Sequence, residues 1–360
     1  MKIRAGLIGC GKVAHIHARA LSDITDIQFV AVHSRSEIKG RKFAKKYSVK
    51  SYTDIACMVR ENDLNMVVVC TPHPNHAGSA IPALQAGAHV LVEKPLATSL
   101  EDCDQMISTA KKAHVKLGVV SQRRFFRPVQ RIREAIDSGK IGEPVLGIVT
   151  LLGYRDKQYY RSDPWRGTWH GEGGGILVNQ APHQLDLLLW FMGEIDELYG
   201  CWANLNHPYI EVEDTALAVI RFKSGALGNI IVSNSQNPAL YGRVSVFGKN
   251  GATVSVQTDG GAMFIAGMSQ IEEPPLNDVW TISGEEDMLN SWRLEDEKFF
   301  KTIDPIQYYH QLQLQDFMNA IVQDRDPLIT AEQGRRTVEL ITAIYQSQRE
   351  NKIIRFPFKP

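Results

Sequence analysis

The chain has little that would tie it to a nucleic acid, a membrane or an oxidising compartment. Lys plus Arg number 40 and Asp plus Glu number 40, so the formal net charge is zero. Such a balance gives no whole-molecule attraction to nucleic acid or to an anionic bilayer. No window reaches the roughly 20 apolar residues of a membrane span. The sequence passes from MKIR directly into AGLIGCG, without a signal-peptide apolar core and cleavage site, so a cytoplasmic protein is expected. The five cysteines (Cys10, Cys57, Cys70, Cys103, Cys201) are odd in number, scattered, and form no CxxC pair. A disulfide framework and a thiolate zinc site are therefore not expected. Internal repeats and low-complexity tracts are also missing. What remains is a 360-residue chain, 44% hydrophobic, long enough for two domains with real cores.

Two textures follow one another along it. Up to residue 122, apolar strand-like runs (IRAGLIG, QFVAVHS, MVVVCT, HVLVE, KLGVVS) alternate with helical patterns. Continuous Val/Ile/Leu strands between helices predict a parallel sheet covered on both faces, a doubly wound Rossmann-type α/β domain over 1–122. From 123 to 360 one helix pattern (VQRIREAIDSG) precedes mostly strand-like runs, with turns at Lys223-Ser224-Gly225 and Lys249-Asn250-Gly251. This predicts an α+β domain with a large, mostly antiparallel open sheet and helices on one face. GGGILVNQAPHQLDLLLW, Gly173 to Trp190, reads as one apolar helix. The span 267–305 reads as an irregular excursion. Helices near 306–323 and 331–350 close the chain and could pack back on the first domain.

Gly9-Cys10-Gly11-Lys12-Val13-Ala14 is G-x-G-x-x-A between a strand and a helix, the context of a dinucleotide fingerprint. Gly9 allows the tight turn, Gly11 lets backbone approach a pyrophosphate at the helix N-terminus, and Ala14 permits close packing. The second strand ends in His33-Ser34-Arg35-Ser36, where an NAD site usually presents an acid. Ser34 and Arg35 instead suit a 2′-phosphate, so NADP is favoured over NAD, with a merely solvated Arg35 as the plain alternative.

The stretch CTPHPNHAGSAIPALQAGAHVLVEKPL (70–96), the glycine fingerprint and the GGG-to-HxxD stretch together resemble the Gfo/Idh/MocA oxidoreductases over nearly the whole chain. The resemblance implies a nicotinamide dinucleotide on the first domain and a sugar, polyol or related substrate on the second. Thr71, Pro72, His73 and His76, with Glu93, Lys94 and Pro95, would lie beside the cofactor. Lys94 follows a strand at the carboxyl edge of the sheet and can donate to a substrate oxygen. Neither His73/His76 nor His15/His17 has a clear carboxylate or thiolate companion nearby in sequence, so no metal is expected.

In the second domain His183 is the candidate proton carrier, since an imidazole can take or give a proton near neutral pH, the plain reading being a core histidine. Asp186, one turn on, would fix its ring or sit at the helix edge. Relatives often carry Asp where this chain has Asn179. An amide is no base, and Asn179 is either a helix N-cap before Pro182 or a substrate ligand. The three glycines are expected to let backbone approach cofactor or substrate. In GYRDKQYYRSDPWRGTWHGE (153–172) aromatics interleave with arginines, but Asp156, Asp163 and Glu172 break the positive charge, which suits a sugar better than nucleic acid. Tyr154, Trp165, Gln180 and Arg123 join Asn179 and Asp186 as candidate substrate contacts, and Arg124 is also placed to reach the cleft. The resemblance puts Trp165-Arg166 near the nicotinamide.

The expected protein is an NAD(P)-dependent dehydrogenase of a sugar, glycoside or polyol hydroxyl, or the matching reductase. Its wording is most similar to members that oxidise glycosides, at the 3-hydroxyl. A homo-oligomer, dimer or tetramer, through the second sheet is expected. Two alternatives stand: a glycoside-cleaving enzyme working by transient oxidation and elimination, and a non-catalytic sugar or nucleotide sensor.

Overall fold

The computed structural model describes residues 2–258 and 273–358. The chain folds as two units, one of 1–122 with 306–338 and another of 123–305 with 339–360.

The first unit opens β1 (Ile3–Ile8), α1 (Lys12–Asp23), β2 (Ile27–His33), α2 (Glu37–Tyr47), β3 (Lys50–Tyr52), α3 (Ile55–Glu61) and β4 (Met66–Val69). It continues with α4 (His76–Gln85), β5 (His89–Val92), α5 (Leu100–Lys112) and β6 (Leu117–Val119). The six strands are ordered β3-β2-β1-β4-β5-β6, and every pairing is parallel. The order reverses between β1 and β4, which opens a crevice at the strands' carboxyl ends. Each of the four residues of β4 is buried, which explains its unbroken apolar run. The short β3 and α3 lack a strong apolar period, so the sequence does not announce them.

In the second unit α6 (Arg127–Asp137) and β7 (Pro144–Leu152) precede three short helices, α7 (Lys157–Arg161), α8 (Trp169–Glu172) and α9 (Ile176–Asn179). Then come α10 (Pro182–Met192), β8 (Ile195–Ala203), β9 (Thr215–Phe222), β10 (Leu227–Ser233), β11 (Gly242–Gly248) and β12 (Thr253–Gln257). β13 (Leu276–Trp280) and α11 (Met288–Phe300) complete this stretch. The final elements are α12 (Pro305–Val322), α13 (Ala331–Glu350) and β14 (Ile354–Arg355).

The second sheet runs β13-β12-β11-β7-β10-β9-β8-β14 and is antiparallel except for the parallel β7–β10 pair. α10 packs on β7 and β11, with Leu188 and Met192 seated over Gly147, where a Cβ would lie 2.7 Å from either side chain. β9 alternates strictly: Ala216, Ala218, Ile220 and Phe222 are buried, while Leu217 and Val219 face outward at 41% and 56% exposure.

Two expectations are corrected. The 173–190 stretch is not one helix: α9 ends at Asn179 and α10 starts at Pro182, whose ring carries no N–H to continue the earlier ladder. The 267–305 span is not irregular from 273 onward, since it holds β13 and α11; residues 267–272 lie outside the described residues. α11 is held by Arg131, which pairs with both oxygens of Asp296 and lies 4.7 Å over the Trp292 ring. Such long-range anchors leave little local periodicity.

Candidate active site

The first unit gathers its functional residues at one sheet edge. Ile8, Val69 and Val92 lie side by side at the ends of β1, β4 and β5. The loops leaving them carry Gly9–Gly11, Thr71–Pro72 and Glu93–Pro95. Gly9 has φ +109, and a Cβ there would lie 2.7 Å from the Cys70 carbonyl oxygen, so glycine is required for the turn itself. A Cβ on Gly11 would meet nothing within 4 Å. Gly11 is also the N-cap of α1 and provides no side-chain hydrogen bond to its first amides. Open space over uncapped helix amides fits a pyrophosphate. Lys12 is exposed, Val13 is half-buried and Ala14 is fully buried against the sheet.

At the end of β2, Ser34 is buried and its hydroxyl accepts from the Ser36 amide at 3.2 Å. Arg35 is exposed. The nearest following acid, Glu37, pairs with Arg41 along α2. Thr71 and Pro72 are half-buried, and His73 is buried with its ring edge-on to that of His76, centroids 5.8 Å apart. His76 is fully buried; its Nδ1 meets the Pro95 carbonyl at 2.8 Å and its Nε2 the Thr71 carbonyl at 3.0 Å. Burial pulls its pKa below the ordinary histidine value. Glu93 also turns inward, onto His17 at 2.7 Å. The resemblance groups His76 and Glu93 with the cofactor-contacting residues, yet their polar atoms are committed to the protein's own loops. Lys94 is half-buried and follows Glu93 directly.

In the second unit the expected partner of His183 has another duty. Arg124, only 2% exposed, grips Asp186 at both oxygens, Nε to Oδ2 at 2.8 Å and Nη2 to Oδ1 at 2.6 Å, and its guanidinium lies 4.9 Å over the Trp190 ring. Asp186 thus anchors a buried arginine that α10 holds in place. His183 is buried at 9% exposure near the start of the same helix. Arg123 Nη1 and Gln184 Nε2 both donate to the Thr258 hydroxyl, at 3.1 and 3.0 Å.

Asn179 is not a helix N-cap: Ala181 occupies that position before Pro182. Its amide donates to the Tyr159 hydroxyl at 3.0 Å and to the Glu172 carboxylate. The Tyr159 oxygen also accepts from Arg166 and from Gln180 at 3.0 Å, and Gln180 accepts from Asn234 at 2.9 Å. Arg166 stacks at 4.3 Å over Tyr159 and 4.5 Å over Trp165. Glu172 is 1% exposed and takes the Gly167 amide at 2.6 Å. Tyr154 stands outside this network, exposed. Tyr159, Glu172 and Asn234 join the network although no local sequence signal marks them as site members.

The glycines of 173–175 serve protein contacts. A Cβ on Gly175 would sit 1.8 Å from the Glu213 carbonyl oxygen, and one on Gly174 2.3 Å from the Tyr345 hydroxyl. Glu213, fully buried, accepts the Gly175 and Leu177 amides at 2.9 and 3.0 Å and the Tyr345 hydroxyl at 2.8 Å. Burial raises its pKa to about 7 against those hydrogen bonds. The expected approach to cofactor or substrate at these glycines is therefore replaced by packing on the protein itself, against the Tyr345 side chain at Gly174 and the Glu213 backbone at Gly175.

A dinucleotide fingerprint on a doubly wound sheet, joined to a mostly antiparallel α/β sheet, defines a nicotinamide-dependent oxidoreductase. Residues 3–121 match the family model described as oxidoreductase family, NAD-binding Rossmann fold, and residues 133–356 match that family's C-terminal alpha/beta domain. The chain belongs to this Gfo/Idh/MocA family. It is 35% identical to the myo-inositol 2-dehydrogenase of Thermotoga maritima over 69% of this chain and 74% of that protein. It is 28% identical to the inositol 2-dehydrogenase of Rhizobium meliloti over 78% of this chain and 83% of that one. The WlbA dehydrogenase of Bordetella pertussis, solved with NADH and UDP-GlcNAcA, superposes with a TM-score of 0.83 at 29% identity, each chain covered completely. Among the described residues no helix is long and apolar enough to cross a membrane.

Proposed function

We propose that the protein is a dehydrogenase of a sugar, glycoside or polyol hydroxyl, or the reductase of the matching ketone. One observation carries the reading: Gly11's open, uncapped helix terminus and Lys94 share the carboxyl edge of one parallel sheet. The relatives' names supply the substrate class, since inositol and UDP-sugar enzymes stand among them.

Gly9 to Ala14 would hold the pyrophosphate, and Ser34 with Arg35 the adenosine end. A nicotinamide held there would supply the redox chemistry, hydride leaving a carbinol carbon in one direction and reaching the matching carbonyl carbon in the other. Lys94 donates to the substrate oxygen and favours its charged form, and His183 carries the hydroxyl proton. Trp165, Gln180 and Asn179 belong to the substrate side, with Asn179 acting through its bond to Tyr159. NADP is preferred over NAD, because no carboxylate ends β2 and the exposed Arg35 suits a 2′-phosphate. The glucoside 3-hydroxyl is the proposed position, on the likeness of the 153–190 wording. Self-association through the outward face of the second sheet follows from its apolar rows: Tyr199 lies opposite Val219, and both are exposed.

The test starts with denaturing purified protein and identifying the released nucleotide. Inositols, sugars and glycosides are then assayed by nicotinamide absorbance and product mass. His183→Ala should keep nucleotide affinity and lose turnover by roughly 100-fold or more. Unchanged turnover would refute the assignment. Turnover of glycosides without net nicotinamide reduction would identify the cleaving enzyme instead. Arg35→Ala should weaken NADPH binding and leave NADH binding unchanged. Light scattering reads the oligomer.

A further inference from the structure

Three polar side chains from distant parts of the sequence meet inside the first unit. His17 lies on α1, Glu93 follows β5, and His310 lies on α12; each is under a tenth exposed. One donor atom from each falls within 4.8 Å of the others. His17 Nε2 donates to Glu93 Oε1 at 2.7 Å, while its buried Nδ1 has no partner among the described residues. The second carboxylate oxygen, Oε2, accepts the backbone N–H of Lys94 at 3.1 Å. The His310 ring stands edge-on to His17 with centroids 5.0 Å apart, and its Nδ1 is fixed on the Ile306 carbonyl at 2.6 Å.

A His-Glu-His set invites a metal reading. Tetrahedral zinc, with bonds of about 2.0–2.2 Å, holds its donors roughly 3.3 Å or more apart. A nitrogen and an oxygen at 2.7 Å are hydrogen-bonded to each other, with no ion between them. The charged and titratable groups facing Glu93 are His17 from α1, His310 from α12, Lys94 on its own loop, Cys70 after β4 and His76 from α4. Burial opposes the negative charge, but the His17 hydrogen bond, with the charges of His17, His310 and Lys94, holds the Glu93 pKa at about 2. The carboxylate therefore keeps its two acceptor oxygens at any working pH.

We propose that the His17–Glu93–His310 cluster is a positioning device for Lys94: the carboxylate, aimed by His17 and backed by His310, fixes the lysine's backbone and places a negative charge beside its ammonium. His17 and His310 come from opposite ends of the chain, so the returning helix α12 takes part in setting the lysine. The inference rests on Lys94 acting in the reaction proposed above.

The test compares Glu93→Gln, His17→Leu, His17→Gln and His310→Leu with Lys94→Ala, each checked by thermal melting and nucleotide titration. Glu93→Gln and His17→Leu should lower kcat about 10- to 100-fold, the usual consequence of misplacing a reacting group by an ångström. Nucleotide affinity should stay within about threefold, since no nucleotide contact is removed. His310→Leu should lower kcat less than His17→Leu does. In Glu93→Gln the alkaline limb of the kcat–pH profile should move to lower pH, because removing the anion makes the Lys94 ammonium easier to deprotonate. His17→Leu keeps the carboxylate, with His310 and Lys94 still acting on it, and should move that limb less than Glu93→Gln does. His17→Gln restores a donor near Nε2 and should recover most of the lost rate. A folded Glu93→Gln protein with unchanged kcat and pH limb, beside an inactive Lys94→Ala, overturns the positioning role alone. Loss of nucleotide affinity with kcat intact would make Glu93 a cofactor ligand and also overturn it. One equivalent of tightly bound zinc in the purified protein would do the same. Full activity in Lys94→Ala would instead sink the functional reading.

Discussion

Two glycine stretches of this chain use the same residue for opposite ends. At Gly11 the missing side chain leaves space that the protein does not fill, over helix amides that it does not cap. At Gly175 the missing side chain lets one backbone touch another, with the Glu213 carbonyl oxygen where a Cβ would stand. Glycine in a fingerprint marks a place for a ligand, whereas glycine beside a buried glutamate marks a place for the chain itself. Both look alike as letters.

Substitution separates them. Gly175→Ala should have the largest effect, because the clash is with backbone and no rotamer change relieves it. The expected result is failure to fold, or a loss of several kcal/mol and a fall in Tm of roughly 10 °C or more. A variant melting within a degree or two of the parent would show that the β8–β9 connection yields easily, and the contrast would fail. Gly11→Ala should leave the fold untouched. Its φ of −82° suits alanine and nothing crowds the new methyl, so stability should hold or rise by up to about 1 kcal/mol. Nucleotide affinity should nevertheless drop roughly 10- to 100-fold, at 1.4 kcal/mol per tenfold, by titration of nicotinamide fluorescence. Unaltered affinity would remove the pyrophosphate from Gly11.

The same contrast explains what is legible in the sequence. The first sheet is readable because buried parallel strands are continuous apolar runs, and its site residues follow strand ends in order. Gly9, Gly11 and Lys94 need no tertiary knowledge to place on one edge. His17 does: its carboxylate partner lies 76 residues away, and its sequence neighbours include none. The second region is less readable for the same reason. Asn179 is bound by Tyr159 and Glu172, both in the 153–172 stretch of interleaved aromatics and arginines, and Asp186 by Arg124, 62 residues upstream. Helical spacing puts Asp186 beside His183, but spacing cannot show that an arginine from another element claims both carboxylate oxygens. Pro182 is a usable signal for the break between α9 and α10, although it also invites Asn179 as the cap of a single helix.

Two of the buried glutamates, Glu93 and Glu213, sharpen the comparison into a pH experiment. Glu93 has the His17 hydrogen bond and the neighbouring Lys94 and is held at about 2; among the described residues Glu213 is met by two amides and a phenol and is pushed to about 7. Burial penalises both charges, and a cationic neighbour decides the outcome. Relative to an unfolded value near 4.5, the consequences have opposite signs. Glu93 contributes stability that is present above pH 4.5 and is lost as acid approaches its folded pKa. Glu213 keeps its proton in the folded state between about 4.5 and 7, while the unfolded chain releases it. Its contribution is therefore full below 4.5 and lost as pH rises through 7. Glu213→Gln cannot ionise. Against the parent it should gain up to about 3 kcal/mol in urea melts between pH 4.5 and pH 8, whatever its fixed cost from altered hydrogen bonds. A parent-to-variant difference that stays constant across that range would mean Glu213 is already ionised in the folded state. The three donors from Gly175, Leu177 and Tyr345 would then outweigh its burial, and the two units would hold their glutamates alike.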